Sequence, residues 1–116
     1  MLIRVDTTSS EPLFEQIAAA VRELASSGTA IAGERLPAAR ELAESLDVNV
    51  HTVLHAYQQL RDEGLIELRR GRGAIVRAEA VDAGALGESV AALVAEARRR
   101  GVPAGMLTAL IEEEYR

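Results

Sequence analysis

The chain has no cysteine, no lysine and no tryptophan in its 116 residues. Without cysteine there is no disulfide framework, no thiolate metal site and no thiol nucleophile. The two imidazoles, His51 and His55, share a helix face by their spacing. No third ligand accompanies them, and a stable metal site wants three or four. Aromatic residues are confined to Phe14, Tyr57 and Tyr115, so a core must be built from Leu, Val, Ile and Ala, which suits helix-on-helix packing. No stretch approaches the roughly 18 apolar residues of a membrane span. The N-terminal segment Met1–Thr8 lacks the apolar run of a signal peptide, so a cytoplasmic location is expected. A nucleophile–base–orienter set is also missing, so the sequence predicts neither an enzyme nor a bound cofactor.

What is present is a balance of 48% hydrophobic and 27% charged residues, normal for a folded domain. The formal net charge of −5 argues against a nucleic-acid partner until its distribution is considered. Residues 61–77 hold five Arg against three acidic residues, and four of those Arg lie within 69–77. Arginine offers planar, bidentate donors suited to phosphate.

Apolar periodicity divides the chain. Ile3 and Val5 alternate with Arg4 and Asp6, which fits a short edge strand. Ser9 or Ser10 can cap a first helix with Pro12 in its first turn, its apolar stripe being Leu13, Ile17, Ala20, Val21 and Leu24; Gly28 ends it. A second helix is predicted at about 38–46, with Ala39, Leu42, Ala43 and Leu46 inward. After the tight turn Asp47-Val48-Asn49, a third covers about 50–63 and buries Val53, Ala56, Tyr57 and Leu60. Its other face carries His51, Thr52, His55, Gln58 and Gln59. Gly64 is expected to be a left-handed cap. Leu65–Leu68 and Ala74–Arg77 read as strands joined by the turn Arg69-Arg70-Gly71-Arg72-Gly73.

Helix, short turn, helix and β-hairpin form a winged helix-turn-helix, a mainly α fold with one small hairpin. An α-helix fits the major groove of B-DNA, where Asn49, His51, Thr52 and His55 could reach base edges. Gly71 and Gly73 would let the hairpin backbone approach a phosphate ridge or minor groove, with Arg69, Arg70 and Arg72 supplying charge. The Arg-Gly-Arg-Gly turn lies between strands, the wrong context for a nucleotide-binding fingerprint. Arg40 is also spaced to pair with Glu44 on the second helix.

Several spaced motifs, in order, resemble the GntR family of bacterial transcription regulators and its short YtrA-like subfamily. They are Pro12-Leu13-Phe14-Glu15-Gln16-Ile17, Gly33-Glu34-Arg35-Leu36-Pro37, Arg40-Glu41-Leu42-Ala43, Val48-Asn49 with Thr52-Val53, Ala56-Tyr57 with Leu60, Glu63-Gly64-Leu65-Ile66 and Arg70-Gly71-Arg72-Gly73. The resemblance implies a homodimer on a palindromic DNA operator, usually repressing transcription, with Arg35 and Arg40 gripping phosphates or adjacent bases. Ala38 stands where the family often has Ser, and Val50 and Leu54 stand where many relatives carry Arg. These departures, with the net charge, keep open an alternative: a winged-helix protein-interaction module without DNA binding.

Residues 78–84 read as the boundary between a DNA-binding domain, 1–77, and a two-helix dimerisation tail, 78–116. The tail's apolar residues are Leu86, Val90, Leu93 and Val94 in one helix, and Met106, Leu107, Leu110 and Ile111 in the other, across Gly101-Val102-Pro103. Arg98-Arg99-Arg100 would tip the first tail helix at its C-terminus, where cations are favoured. Two such helices cannot bury their stripes alone and need the first domain or a second chain. They also cannot enclose a ligand, so any small-molecule effector would have to bind between protomers.

Overall fold

Six helices and one antiparallel hairpin follow in the order α1 (Leu13–Ser26), α2 (Ala39–Leu46), α3 (Val50–Asp62), β1 (Ile66–Arg69), β2 (Gly73–Val76), α4 (Ala78–Gly84), α5 (Gly87–Arg99) and α6 (Ala104–Glu114). This computed structural model describes residues 1–116 and divides into two units, Met1–Ala85 and Leu86–Arg116.

In the first unit α3 packs against α1, α2 and β1. Its inner face, Val53, Ala56, Tyr57 and Leu60, is buried as its periodicity predicts. Ile17 and Val21 of α1, Ile66 of β1 and Val76 of β2 complete the most deeply buried set. The α1 stripe is rotated from its expected register. Ala18 and Ala25 are buried with Ile17 and Val21, while Leu13, Ala20 and Leu24 sit half-buried at its margins. Small residues inward let neighbouring backbones approach closely. Two polar ties close the unit: Arg22 donates from Nε and Nη2 to the two carboxylate oxygens of Glu63, each at 2.8 Å, and the Tyr57 hydroxyl donates to the Pro37 carbonyl at 2.7 Å.

The helix-turn-helix angle is set by Asp47, which adopts φ 55° in the left-handed region. Val48 N–H then reaches the Ala43 carbonyl at 3.0 Å and Asp47 N–H the Glu44 carbonyl at 3.2 Å, the paired bonds of a Schellman closure. Two residues later the Asn49 side chain accepts from His51 N–H at 2.8 Å and starts α3.

Two expectations are corrected. Ile3 and Val5 form no strand: Ile3 is buried in the core, but no neighbouring strand offers a ladder. The segment is held by Gln16, whose amide accepts from Asp6 N–H at 2.7 Å and donates to the Asp6 carbonyl at 3.0 Å. Neither Ser9 nor Ser10 caps α1. Pro12 occupies the N-cap position without a side-chain cap, and Ser9 Oγ accepts from Glu11 N–H instead. Residues 78–84, read as the boundary, are helical: they form α4, pack on α1 and bury Ala80, and the two compact units meet after Ala85. Residues 33–36 also add a third run to the hairpin. Gly33 N–H donates to Val76 O, Val76 N–H to Glu34 O and Leu36 N–H to Ala74 O, each at 2.8 Å.

In the second unit, α5 ends in a Schellman closure at Gly101, φ 72°, with Val102 N–H on the Ala97 carbonyl at 2.9 Å and Gly101 N–H on Arg98 O at 3.1 Å. Arg98 and Arg99 lie in its last turn as expected. Ala97 is the only buried residue of the two helices.

Two predictions follow from this packing. A Cβ on Gly84 would lie 2.9 Å from Ser26 Cα and 2.9 Å from Ser26 O. Backbone cannot swing aside as a side chain would, so Gly84→Ala should destabilise the first unit by about 1–3 kcal/mol, read by urea denaturation and by faster amide exchange in α4. Burial raises the Tyr57 phenol above its ordinary pKa of 10.0. The neutral phenol is the form the fold favours, so its contribution is complete below pH 10 and is lost as pH rises further. Tyr57→Phe should cost about 1 kcal/mol at neutral pH and flatten the alkaline fall in stability.

Candidate nucleic-acid interface

Burying Val53, Ala56, Tyr57 and Leu60 turns the opposite ridge of α3 outward. His51, Leu54, His55 and Gln58 are exposed on it, while Thr52 and Gln59 are half-buried at its flanks. Asn49 stands exposed at the helix start, but its Oδ1 is occupied by the cap to His51 N–H, leaving its amide donors for an outside acceptor. Val50 is half-buried against the core rather than outward, so Leu54, at 40% exposure, is the apolar residue that the ridge presents.

His55, although exposed on the ridge, is also held from within the protein. Its ring stacks on Phe14 of α1, with centroids 3.9 Å apart and planes inclined by 19°. The stack draws the imidazole towards α1 and leaves His51 as the unencumbered imidazole of the ridge. Periodicity could not reveal this, because Phe14 and His55 meet only through the crossing of α1 and α3.

The wing is the turn between β1 and β2. Arg72 N–H donates to the Arg69 carbonyl at 3.0 Å, and Gly71 and Gly73 take φ of 81° and 79°. Only glycine holds that conformation without strain, so the tip is narrow by construction. Its three arginines are not equivalent. Arg69 pairs with Glu67 at 3.0 Å, and the hydrogen bond it donates to that carboxylate holds its guanidinium above the ordinary pKa of arginine. Arg70 and Arg72 make no ion pair.

The same distinction runs through the first unit. Arg22, Arg61, Arg69 and Arg77 are paired with Glu63, Asp62, Glu67 and Glu79. Arg4, Arg35, Arg40, Arg70 and Arg72 have no acidic partner, and the spaced pair Arg40 and Glu44 does not form. Arg35 is bridged antiparallel to Ile75 of β2. A Cβ on Gly73 would sit 3.6 Å from its Nε and 3.9 Å from its Nη2, so the guanidinium covers the bare backbone of the wing. The structure therefore brings Arg35 together with the wing, a proximity invisible in the sequence. Arg40 stands on α2, apart from that cluster.

Known proteins share this arrangement. The sequence model of "Bacterial regulatory proteins, gntR family" matches residues 13–76. The transcriptional repressor YtrA of Bacillus subtilis is 43% identical over 75 residues, 65% of this chain and 58% of that protein; this chain thus matches about three-fifths of that relative's length. A solved structure of YtrA from Sulfolobus acidocaldarius, a GntR-family transcription factor, aligns over 85% of this chain and 99% of its own, at 33% identity and a TM-score of 0.65. The AraR DNA-binding domain, solved in complex with operator ORX1, shares the fold at 22% identity and a TM-score of 0.57, over 66% of this chain and 95% of that one. With its helix-turn-helix, its wing and the match across residues 13–76, the chain belongs to the GntR family of bacterial regulatory proteins.

Proposed function

We propose that the chain is a homodimeric, sequence-specific DNA-binding transcription regulator that represses from a palindromic operator in the cytoplasm. The observation that carries DNA binding is that, apart from Arg4, the first unit's arginines left without acids, Arg35, Arg40, Arg70 and Arg72, lie on α2, the segment that leads into it, and the wing. Unneutralised guanidinium groups around a polar helix are what a phosphate backbone on either side of a groove requires. In this reading α3 enters the major groove. Asn49, His51 and Thr52 read base edges, with His55 buttressed by Phe14 at the margin. Arg69, Arg70, Gly71, Arg72 and Gly73 place the wing on the adjacent backbone. Operator binding by the AraR domain supports the placement as analogy of fold, and the repressor named among the relatives supports the sign of regulation.

Dimerisation is assigned to α5 and α6. Leu86, Val90, Leu93, Met106, Leu110 and Ile111 are all exposed, the extremes being 42% at Ile111 and 59% at Leu110, with Val94 and Leu107 half-buried. An apolar array of that kind marks an interface, and a second copy supplies a self-complementary one. Any effector would bind between protomers. The second reading, a protein-interaction module, is favoured by the outward Leu54 and the net charge of −5.

Fluorescence anisotropy against the chain's own upstream DNA and a scrambled duplex, at about 50 and 200 mM salt, separates the two readings. Preference for the upstream fragment that survives the higher salt supports regulation; no binding to either duplex at the lower salt supports the interaction module. Arg72→Ala should weaken binding to every duplex and lower the salt slope by about 1, whereas Arg69→Ala, already neutralised by Glu67, should change the slope less. Leu93→Glu with Leu110→Glu should yield a folded monomer by sedimentation. Losing the second half-site contact should weaken binding to the full palindrome by about a hundredfold or more, with little change on an isolated half-site.

A further inference from the structure

Leu54 is a strange residue for a ridge that faces an aqueous groove. It is 40% exposed between His51 and Gln58, one turn to either side. Towards the wing it lines a groove of about 370 Å3 with Pro37, Ala38, Ala39, Leu68 and Arg70. The groove is walled mainly by carbon, and two arginines line it: Arg69, paired with Glu67, and Arg70, which has no acid partner. Leu68, also partly exposed, belongs to β1 and so ties this apolar surface to the hairpin. This lining suits an apolar group lying beside a negative charge that Arg70 can meet.

Resting on the placement of α3 in the major groove, we propose that Leu54 is a specificity-determining residue that reads thymine through its 5-methyl group. The methyl is the one apolar group that base edges expose in the major groove, and a phosphate follows within the same strand, where Arg70 stands. Leucine has no donor or acceptor, so it cannot satisfy the polar edges of guanine, adenine or cytosine. It would leave those groups desolvated and unpaired, which disfavours them. Ala38 and Ala39, small at the start of α2, leave space for the methyl and the sugar beside it. The helix thus discriminates by shape and desolvation at this step, and by hydrogen bonds at His51 and Asn49.

The test uses the full chain and duplexes recovered by selection from a random library. Each thymine is replaced singly by deoxyuridine, which pairs identically and lacks the methyl, and each purine by its 7-deaza analogue, which lacks the N7 acceptor. At one thymine in each half-site, deoxyuridine should weaken binding roughly fourfold, the equivalent of one methylene's burial. The same exchange should have no effect on Leu54→Ala, whose folding is secure because Leu54 is outside the core. Insensitivity to deoxyuridine at every thymine, or equal sensitivity in Leu54→Ala, overturns the role of Leu54. If 7-deazapurines still weaken binding in that case, α3 remains in the major groove and only the methyl reading falls. If they too have no effect, the placement of α3 falls with it.

Discussion

The rest of the structure depends on burying one face of α3. Val53, Ala56, Tyr57 and Leu60 are enclosed by α1, α2 and the hairpin, and a helix fixed on one side can present only the opposite ridge. Fully burying side chains of this size is worth about 1.5–3 kcal/mol each, far more than the polar ridge could gain by rotating inward. The orientation of the ridge is therefore a by-product of core packing. Polar ties sharpen it. The Tyr57 hydroxyl fastens the lead-in to α2 at Pro37, and Arg22 with Glu63 fastens the far end of α3 to α1. Asp47 and Asn49 set where the helix starts.

Charge acts at a second level. A net charge of −5 looks unsuited to an anionic partner, yet acids neutralise arginines only where they touch them. The pairs Arg22–Glu63, Arg61–Asp62, Arg69–Glu67 and Arg77–Glu79 consume four of the first unit's basic groups. Surface pairs of this kind add little stability, but they determine which guanidinium groups remain for a partner. Arg70 and Arg72 remain at the wing tip, and Arg35 joins them by lying over Gly73. Salt dependence should therefore track these residues rather than the total of arginines.

Much of the first unit was legible because its signals are local. The αL caps at Gly28 and Gly64, the inner face of α3 and the hairpin around the glycine turn are all set by residues a few positions apart. What escaped depended on contacts distant in sequence. Phe14 meets His55 across a helix crossing, and residues 33–36 join β2 forty positions later. Ile3 and Val5 alternate like a strand but find no partner backbone. The segment 78–84 reads as a boundary because it is small and Ala-rich, and that composition is what lets α4 approach α1 closely enough for Gly84 to meet Ser26. Among the site residues, sequence spacing gave the ridge and the wing, but it could not separate Arg69, which is paired, from Arg70 and Arg72, which are not.

The two units solve opposite problems. The first closes its core with aliphatic residues and leaves polar and cationic groups outward; the second leaves its apolar residues outward and buries only Ala97. A helix pair of 13 and 11 residues is too short to persist in water on propensity alone, so its order is tied to whatever covers Leu93, Met106 and Leu110. On the proposed reading that cover is a second copy, and folding of the tail is coupled to assembly. Assembly would in turn set the separation of two α3 ridges, which would have to match half-sites about one helical turn apart, or a multiple of it. Core packing would then set what each protomer reads, and the tail would set the spacing at which two readings count as one.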